Sequence, residues 1–524
     1  MMQSAQNASL VPGAKSPKPR RGCLYRLWRV FLVYLLVSIV LSLIPERAVD
    51  VRVLEEERVG FSGELLAGAA KAVITPPKEL WEKMNLYGEK GPIEGVADDI
   101  YARALTLGTP DSRDLALVSI VSMEILVIPP AMRPALEQEL ARRGLDRVKV
   151  TLNASHTHAG PGNFWAIPFG RFFMGTYKAE FFDFLVRRAA DAVEASVKGV
   201  RPACIGFAKA QTRYFVKQRR YKDPVTDLAP PVDEDLEVMR VRAKTTGETI
   251  AYVFNLGAHP TTVMHKTQKR TSGEFPGAIS RLLEEKHPGA VALFLQGATG
   301  SVRSTSPRPY ENYRGIQDEK FAKVAMQADM LLASVEEAET NETALDDRVD
   351  LSSALIKVAL PGPDVHFFPE QRPYLVLRIL TVIPDWILSR VADWVMLPDE
   401  TVFQAMRVNH AYLLMFPCDL SNRLGWELKR YIRRDHVFIL GHANDYSLGY
   451  VLAREEYDMG GMHSLGWTER IQDYFGKRAG PYCIKVARML ANRVQEKGAD
   501  DVFEYPFGEH PGTIPGKVET PVEK

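Results

Sequence analysis

Short apolar segments alternate with polar loops and helical periodicity along most of the chain. Leu115–Ile125, Val148–Leu152 and Ile250–Leu256 are each short enough for a buried strand. Helical patterns occur at Pro130–Arg143 and Gly277–Lys286. This alternation is typical of layered α/β proteins, in which helices cover the faces of a sheet. We therefore predict an α/β fold, and 524 residues suffice for one large domain or two ordinary ones.

Two histidines follow directly after the predicted strand Val148–Leu152. The segment Asn153-Ala-Ser-His-Thr-His-Ala-Gly-Pro-Gly162 leaves the strand and then turns in its Gly-Pro-Gly sequence. Residues i and i+2 of an extended segment point the same way, so His156 and His158 can face one pocket. A single buried histidine is more often satisfied by ordinary hydrogen bonds. A His-x-His pair at a strand end instead favours a metal site.

Two further residues of the metal-ligating type follow predicted strands. His259 follows Ile250–Leu256, and Asp419 follows the predicted strand Ala411–Phe416. Two or three imidazoles with one carboxylate and an open position form the ligand pattern of a hydrolytic zinc site. Polar loops also follow two other predicted strands: Gln296–Ser301 after Val291–Leu295, and Gly441–Asn444 after Val437–Leu440. Each residue alone is weak evidence, but together these strand ends predict a zinc hydrolase.

The N-terminal region has a different character. Residues 1–23 are polar and basic and are predicted to form a disordered cytoplasmic tail. Residues 24–45 are apolar except for Arg26 and Arg29, and are long enough to cross a bilayer. The positive charge before this segment predicts a single-pass membrane protein with its catalytic domain on the periplasmic or extracellular side. A cleaved signal peptide is the alternative, but the small-x-small cleavage pattern is missing.

Composition and cysteine spacing exclude several other classes. The formal net charge is +1, so no basic surplus indicates nucleic-acid binding. The four cysteines, Cys23, Cys204, Cys418 and Cys483, are far apart and do not form a disulfide framework, although one pair remains open. The sequence does not indicate an oligomeric state.

Two segments interrupt the α/β pattern. Lys217–Val232 is rich in Arg, Lys and Pro and is predicted to be a long surface loop. Tyr374–Leu397 is strongly apolar but contains four charged residues, and Pro384 should kink any helix formed there. A core or lid helix and a helix at the membrane interface remain equally open for this segment.

Several segments resemble the neutral, non-lysosomal ceramidases. Ser155-His-Thr-His-Ala-Gly-Pro-Gly162 is similar to the family signature Thr/Ser-His-Thr-His-Ser-Gly-Pro-Gly. Other similar segments occur in the family's order: Gly95–Leu105, Ala258–Thr262 followed by Ser272–Glu274, Thr299–Val302, Phe416–Ser421, and Asn444–Tyr450 running into Glu455–Tyr457. The resemblance covers residues 65–480, and its collinear order argues against chance.

The resemblance implies a zinc-dependent amidohydrolase that cleaves the N-acyl amide bond of ceramide-like lipids to a fatty acid and a sphingoid base. It implies one large catalytic domain at 65–510, with mixed β-sheets flanked by helices, after a linker at 46–64 and before a disordered tail at 511–524. The implied partner is a lipid substrate, and the predicted N-terminal anchor adds the membrane bilayer as a second partner. The implied site consists of the zinc ligands His156, His259, Asp419 and Tyr450, the acid–base residue His158, and the substrate-contacting residues Arg219 and Ser301.

The sequence also departs from the family pattern. Asp419 stands where the family has Glu, and the Ser301 segment lacks the family's Asp and Pro. The loop before Tyr450 has one extra residue, and a further active-site tyrosine of the family falls near Met462. No segment that would form the C-terminal immunoglobulin-like domain follows the resemblance.

These departures leave two alternatives open. One is a zinc amidase for another N-acyl lipid or an amino-acid conjugate, and the other is a non-catalytic membrane-anchored lipid-binding or scaffold protein. An amidohydrolase barrel is disfavoured, because its His-x-His pair normally follows the first strand. Here residues 65–152, enough for several strands and helices, come first.

Overall fold

The computed structural model describes most of the chain between its termini. The described ranges are 21–42, 50–88, 91–111, 116–166, 174–219, 231–263, 269–364, 386–387, 389–390, 397–458, 472–496 and 502–503. The chain divides into two units, residues 1–46 and 47–524, and the first contains helix α1 (Arg21–Ser42). Among the described residues no helix is both long enough and apolar enough to cross a bilayer, so the anchor predicted at 24–45 is not confirmed. The predicted location stays a prediction.

Several predictions fall on residues outside the described ranges. These are residues 1–20 of the predicted tail, residues 220–230 of the predicted loop Lys217–Val232, the position of Met462 and the tail at 511–524. The rest of the tail, 21–23, lies in α1, and the first two residues of the loop lie in a short strand, so these parts of the two predictions are wrong. Of the apolar segment Tyr374–Leu397, only 386–387, 389–390 and 397 are described, and the first two pairs are helical. The choice between a lid and an interfacial helix therefore stays open.

The second unit is built from strands and helices in alternation. Its strands are β1 (Arg52–Glu64), β2 (Leu66–Val73), β3 (Gly95–Val96), β4 (Tyr101–Gly108), β5 (Leu117–Met123), β6 (Val148–Ala154), β7 (Arg201–Gln211), β8 (Val216–Gln218), β9 (Asp235–Ala243), β10 (Thr249–Leu256), β11 (Arg270–Thr271), β12 (Val291–Gln296), β13 (Val302–Ser304), β14 (Arg348–Ala359), β15 (Glu400–Val408), β16 (Ala411–Met415), β17 (Cys418–Leu420), β18 (Val437–Leu440) and β19 (Gly449–Val451). Its α-helices are α2 (Met132–Arg142), α3 (Ala179–Lys198), α4 (Glu274–Lys286), α5 (Glu319–Glu339), α6 (Asn422–Tyr431), α7 (Arg454–Asp458) and α8 (Ala479–Val494). Short 3₁₀ turns lie at Lys78–Lys83, Tyr313–Gly315 and Gly476–Arg478.

Two mixed sheets organise these elements. The larger has eight strands in the order β12-β10-β9-β7-β2-β4-β5-β6, and the smaller has five in the order β1-β14-β15-β16-β18. Parallel pairs are β5 with β6 and β10 with β12 in the larger sheet, and β16 with β18 in the smaller. Two-stranded ladders join β11 to β3, β13 to β8 and β17 to β19. The predicted α/β fold with mixed sheets flanked by helices is confirmed.

The two sheets pack face to face, and helices cover their outer faces. Alternate residues of β10 show this arrangement, because side chains along a strand point to opposite faces. Ala251 and Val253 lie in the core between the sheets, whereas Tyr252 and Phe254 lie in the core under α4 and α5. Helices α2 and α3 cover another part of the larger sheet, and α6 and α8 cover the smaller one. Burial of both faces explains why these strands are nearly continuous apolar runs.

The predicted linker at 46–64 is wrong over most of its length. Arg52–Glu64 forms β1, an edge strand that pairs antiparallel with β14. Its inward residues, such as Val59 and Phe61, are only partly buried and alternate with exposed ones. The run Glu55-Glu-Glu-Arg58 between the apolar residues conceals this alternation, and charged side chains are common on edge strands.

Three buried amide side chains connect the two sheets at the edge where β6, β10, β12 and β18 end. Asn153 donates to Gly441 O at 2.6 Å, and its oxygen accepts from Gln296 N at 2.7 Å. Asn255 donates to Leu295 O and Ile439 O, both at 2.9 Å, and Asn444 Oδ1 accepts from Leu152 N at 2.9 Å. Buried amides cost free energy unless their hydrogen bonds are made, so these residues specify how the sheets meet.

Candidate metal centre

The predicted ligand residues converge at this shared edge. His156 and His158 follow β6, and His259 follows β10 in the same sheet. Asp419 lies in β17, and Tyr450 lies opposite it in the parallel strand β19. All five side chains are nine-tenths or more buried. The structure therefore brings together residues that follow strands of the larger sheet and residues of the β17–β19 ladder, up to 294 positions apart (450 minus 156).

The ligand-type atoms approach one another as they would around one small cation. His156 Nε2 lies 3.1 Å from His259 Nε2 and 3.2 Å from His158 Nε2. Asp419 Oδ2 lies 3.3 Å from His259 Nε2 and 3.8 Å from His156 Nε2. The Tyr450 hydroxyl lies 3.2 Å from His259 Nε2. Tetrahedral zinc with bonds of about 2.1 Å separates its ligand atoms by about 3.4 Å, so these distances suit such an ion.

Backbone carbonyls fix the orientation of two imidazoles. His156 Nδ1 lies 2.7 Å from Leu126 O, and His259 Nδ1 lies 2.9 Å from Thr299 O and 3.1 Å from Val302 O. A carbonyl oxygen only accepts, so Nδ1 carries the proton in both rings and Nε2 offers a lone pair. This is the arrangement that metal-binding histidines usually have.

The electrostatic balance of the cluster also suits a cation. Burial, reinforced by the neighbouring imidazoles, lowers the pKa of His156 well below its usual range. Burial likewise lowers the pKa of His158, and neutral imidazole is the form that binds metals. Burial alone would raise the pKa of Asp419, but the facing imidazoles of His259 and His442 lower it well below its usual range. Among the described residues, Asp419 Oδ2 has no hydrogen-bond partner, and it lies beside the Nε2 atoms of His156 and His259, where a cation would offset its charge.

The distances to His156 do not decide whether His158 or His259 is the second histidine ligand. Both Nε2 atoms lie almost equally far from His156 Nε2, and the three histidines form one group suited to metal binding. They differ at Nδ1, because that of His259 donates to carbonyls whereas that of His158 has no hydrogen-bond partner among the described residues. His158 is thus the less firmly oriented of the two rings.

A buried carboxyl group holds the two histidine segments in place. Glu274 accepts hydrogen bonds from the backbone N–H groups of His158 at 3.2 Å, Thr262 at 2.7 Å and Val263 at 3.1 Å. Burial raises the pKa of Glu274 to about 8. Glu274 has a φ of 50° and His156 a φ of 64°, a left-handed conformation that costs free energy in non-glycine residues. Such strained residues cluster at functional sites.

Arg219 and Ser301 lie beside the cluster, but among the described residues only the Arg219 side chain of the two hydrogen-bonds to one of its histidines. Arg219 Nη1 is 3.4 Å from both ring nitrogens of His259, and the Arg219 backbone N–H donates to Ser301 O at 2.9 Å. Ser301 is 1% exposed, and its hydroxyl accepts from Asn422 N at 3.2 Å, at the start of α6. The Ser301 hydroxyl is therefore partly engaged by backbone.

Sequence reasoning missed two residues of the cluster, Thr299 and His442. Thr299 Oγ1 donates to Asp419 Oδ1 at 2.5 Å, and His442 Nε2 lies 3.5 Å from that same oxygen. His156, Asp419 and His442 form a second group suited to metal binding. A signal was present for His442, because Gly441–Asn444 is a polar loop after a predicted strand, as the other ligand segments are.

Comparison with known proteins gives a likeness of fold. No protein-family model matches the sequence, and no curated protein matches it significantly. The structure of neutral ceramidase from Pseudomonas aeruginosa is similar, with a TM-score of 0.65 and 18% identity over 84% of this chain and 76% of that one. A structure of ceramidase complexed with C2 is similar to the same degree, over 83% and 77% of the two chains. The resemblance predicted from the sequence motifs is confirmed, and this chain has the fold of the neutral ceramidases.

Proposed function

We propose that this protein is a zinc-dependent amidohydrolase that cleaves the N-acyl amide bond of ceramide-like lipids. The observation that carries the proposal is the approach, within 3.1–3.8 Å, of imidazole nitrogens, a carboxylate oxygen and a phenol oxygen at one buried edge of the fold. The products would be a fatty acid and a sphingoid base. The likeness to ceramidase structures supports the substrate class.

The proposed zinc ligands are His156 Nε2, His259 Nε2, Asp419 Oδ2 and the Tyr450 hydroxyl. When bound there, zinc would lower the pKa of a water molecule and polarise the amide carbonyl. The carbonyls of Leu126, Thr299 and Val302 hold the two imidazoles with Nε2 inward, so the ligand atoms need little rearrangement.

His158 is proposed to move the proton. Burial keeps its imidazole neutral, so Nε2 can accept a proton from the attacking water and return it to the leaving amine nitrogen. The hydrogen bond from the His158 backbone to Glu274 fixes the position of this residue in the chain. The ring packs edge-on against Tyr87 and His156, and its Nδ1 has no hydrogen-bond partner among the described residues.

Arg219 and Ser301 are proposed to orient the polar end of the substrate. The guanidinium group beside His259 can donate to the amide or hydroxyl oxygens of the lipid. The Ser301 hydroxyl accepts from Asn422 N and also hydrogen-bonds to the buried carboxyl group of Glu456, so it would have to leave Glu456 to donate to the substrate. Ser301 can therefore offer fewer hydrogen bonds to the substrate than Arg219 can.

The test is release of fatty acid from a fluorescent N-acyl sphingosine by the purified full-length chain in detergent. We expect turnover that a chelator abolishes, that added zinc restores, and that His156→Ala removes. His436→Phe is the matched control, because His436 is a buried histidine that contacts Glu237 and belongs to neither group suited to metal binding.

The alternatives give different outcomes in the same assay. Bound zinc without turnover on N-acyl sphingosine, but with turnover on an N-acyl amino acid, would replace the ceramide proposal with an amidase of different specificity. No metal and no turnover on either substrate would overturn the enzyme proposal and favour a non-catalytic protein.

A further inference from the structure

His442 has a place in the cluster that the proposed ligand set does not use. Its side chain is fully buried, and its ring stacks on His156 with centroids 3.9 Å apart and an interplanar angle of 19°. Its other face lies against Tyr446, with centroids 5.3 Å apart and an angle of 11°. The residue has a φ of 50°, a conformation that non-glycine residues seldom adopt. A buried, strained imidazole between two rings needs an explanation.

The stacking argues against His442 as a ligand of the ion that His156 binds. The lone pair of an imidazole nitrogen lies in the plane of its ring, and a zinc–nitrogen bond is about 2.1 Å long. Two nearly parallel rings stacked 3.9 Å apart cannot both direct their lone pairs at one ion. The two metal-suited groups also share His156, whose Nδ1 already faces Leu126 O, so only its Nε2 remains for one metal.

The surroundings of His442 place its proton on Nε2. Thr299 Oγ1 lies 3.3 Å and Asp419 Oδ1 3.5 Å from this nitrogen, and both can accept. Among the described residues, His442 Nδ1 has no hydrogen-bond partner. With the Nε2 proton directed at Thr299, the Thr299 hydroxyl is free to donate its own proton to Asp419 Oδ1, at 2.5 Å. The chain of donors runs from His442 through Thr299 to Asp419.

The two oxygens of the Asp419 carboxylate consequently have different neighbours. Its Oδ1 faces Thr299 and His442, whereas its Oδ2 faces His259 and His156. Rotation of the carboxylate plane away from this orientation would break the Thr299 hydrogen bond. The donors on one oxygen therefore fix the carboxylate plane in the orientation that points the other oxygen at the imidazoles.

We propose that His442 is a positioning residue: with Thr299 it orients Asp419, and by stacking it orients His156, so that a metal-binding geometry exists before the metal arrives. This inference rests on the proposed metal centre, although not on the identity of the substrate. It also accounts for an aspartate at this position. A carboxylate on a short side chain has one fewer rotatable bond, and donors on one oxygen suffice to hold it.

Zinc affinity of the metal-free full-length chain tests the proposal, measured by competition with a chromogenic chelator. His442→Phe keeps a flat ring for the stack but removes the donor, and Thr299→Val removes the hydroxyl while keeping the shape. We expect each to weaken zinc binding by about 10- to 100-fold, as loss of a partner of a metal ligand does. We expect the double variant to lose no more than the stronger single variant, because both belong to one hydrogen-bonded chain.

Two controls separate positioning from general damage and from ligation. Thr299→Ser keeps the hydroxyl and should bind zinc within about twofold of the wild type, as should His436→Phe. With cobalt(II) in place of zinc, His442→Phe should leave the visible spectrum that reports coordination number unchanged. A changed coordination number would make His442 a ligand and overturn the proposal.

The remaining outcomes are equally decisive. Unchanged zinc affinity in His442→Phe, or additive losses in the double variant, would overturn the proposal. If His442→Phe does not fold, the comparison of Thr299→Val with Thr299→Ser still decides whether donation to Asp419 matters. Tight zinc binding without N-acyl sphingosine hydrolysis would remove the proposed function and leave this test intact, whereas a wild type that binds no zinc would remove both.

Discussion

Segments that follow strands of the larger sheet contribute only imidazoles to the candidate metal centre. The β17–β19 ladder contributes a carboxylate and a phenol, and the loop after β18 of the smaller sheet contributes one further imidazole. We call His156, His158 and His259 the imidazole half, and Asp419, Tyr450 and His442 the carboxylate half. The two halves meet where the strands of both sheets end, and buried amides hold them together there.

The halves differ in what orients their ligands. In the imidazole half, backbone carbonyls of Leu126, Thr299 and Val302 receive the Nδ1 protons of His156 and His259, so the course of the backbone sets the orientation of these two rings. In the carboxylate half, side chains of Thr299 and His442 surround Asp419 Oδ1. Side chains can be exchanged by single substitutions whereas a carbonyl cannot. The departure from the family pattern, aspartate in place of glutamate, lies in the half that side chains hold.

The largest expected effect comes from removing one ligand from each half. We expect His156→Ala and Asp419→Asn each to weaken zinc binding by far more than the 10- to 100-fold typical of residues that only support a ligand. The first substitution removes a donor atom, and the second removes the charge that offsets the cation. Chelator competition on the metal-free variants measures both. If one variant kept the zinc affinity of the wild type, its half would not belong to the site.

The next effect tests the claim that backbone orients the imidazole half. Gln296 is fully buried, and its Nε2 donates to Ser155 O at 2.9 Å and to Ala258 O at 3.1 Å, next to two histidines. Gln296→Leu leaves both carbonyls unsatisfied, so we expect the free energy of unfolding to fall by roughly 2–5 kcal/mol. Denaturant titration measures it, with exposed Gln211→Leu as the control. A loss no larger than that of the control would show that these hydrogen bonds do not hold the segments.

A smaller effect concerns the pH dependence of stability and Asp445, a buried residue three positions after His442 of the carboxylate half. Burial raises the pKa of Asp445 to about 6 from 3.8, although Ser447 and Thr401 donate to it. The folded-state pKa lies above the unfolded one, so this group's contribution is fully present below pH 4 and is lost as pH rises to about 6. The loss amounts to about 3 kcal/mol at most.

The variant Asp445→Asn isolates that contribution. Across pH 4 to 6, its free energy of unfolding should fall less steeply with rising pH than that of the wild type. Urea titrations at several pH values give both slopes. Identical slopes would mean that Asp445 is ionised in the folded protein.

The smallest expected effect restores the family's residue. Asp419→Glu adds one methylene group to a fully buried site and displaces the carboxylate from Thr299. Overpacking of this kind costs about 1–3 kcal/mol, so we expect zinc affinity to fall about tenfold. Tighter binding than in the wild type would show that the donors on Oδ1 do not favour the shorter side chain.

The sequence predicted the imidazole half better than the carboxylate half. The His-x-His pair is a local pattern at a strand end, and His259 repeats its context, so strand periodicity was enough to place them together. The role of His442 depends on a ring stack and a donor chain with residues of other segments, which no local pattern contains. The direction of the Ser301 hydroxyl depends likewise on where α6 begins.

The most direct test of the central claim is an anomalous difference map collected at the zinc absorption edge from crystals of the zinc-loaded protein. The account predicts one peak, about 2.0–2.2 Å from His156 Nε2, His259 Nε2, Asp419 Oδ2 and the Tyr450 hydroxyl, with His442 outside bonding distance. A map without a peak at this edge of the sheets, or with zinc bonded to His442, would contradict it.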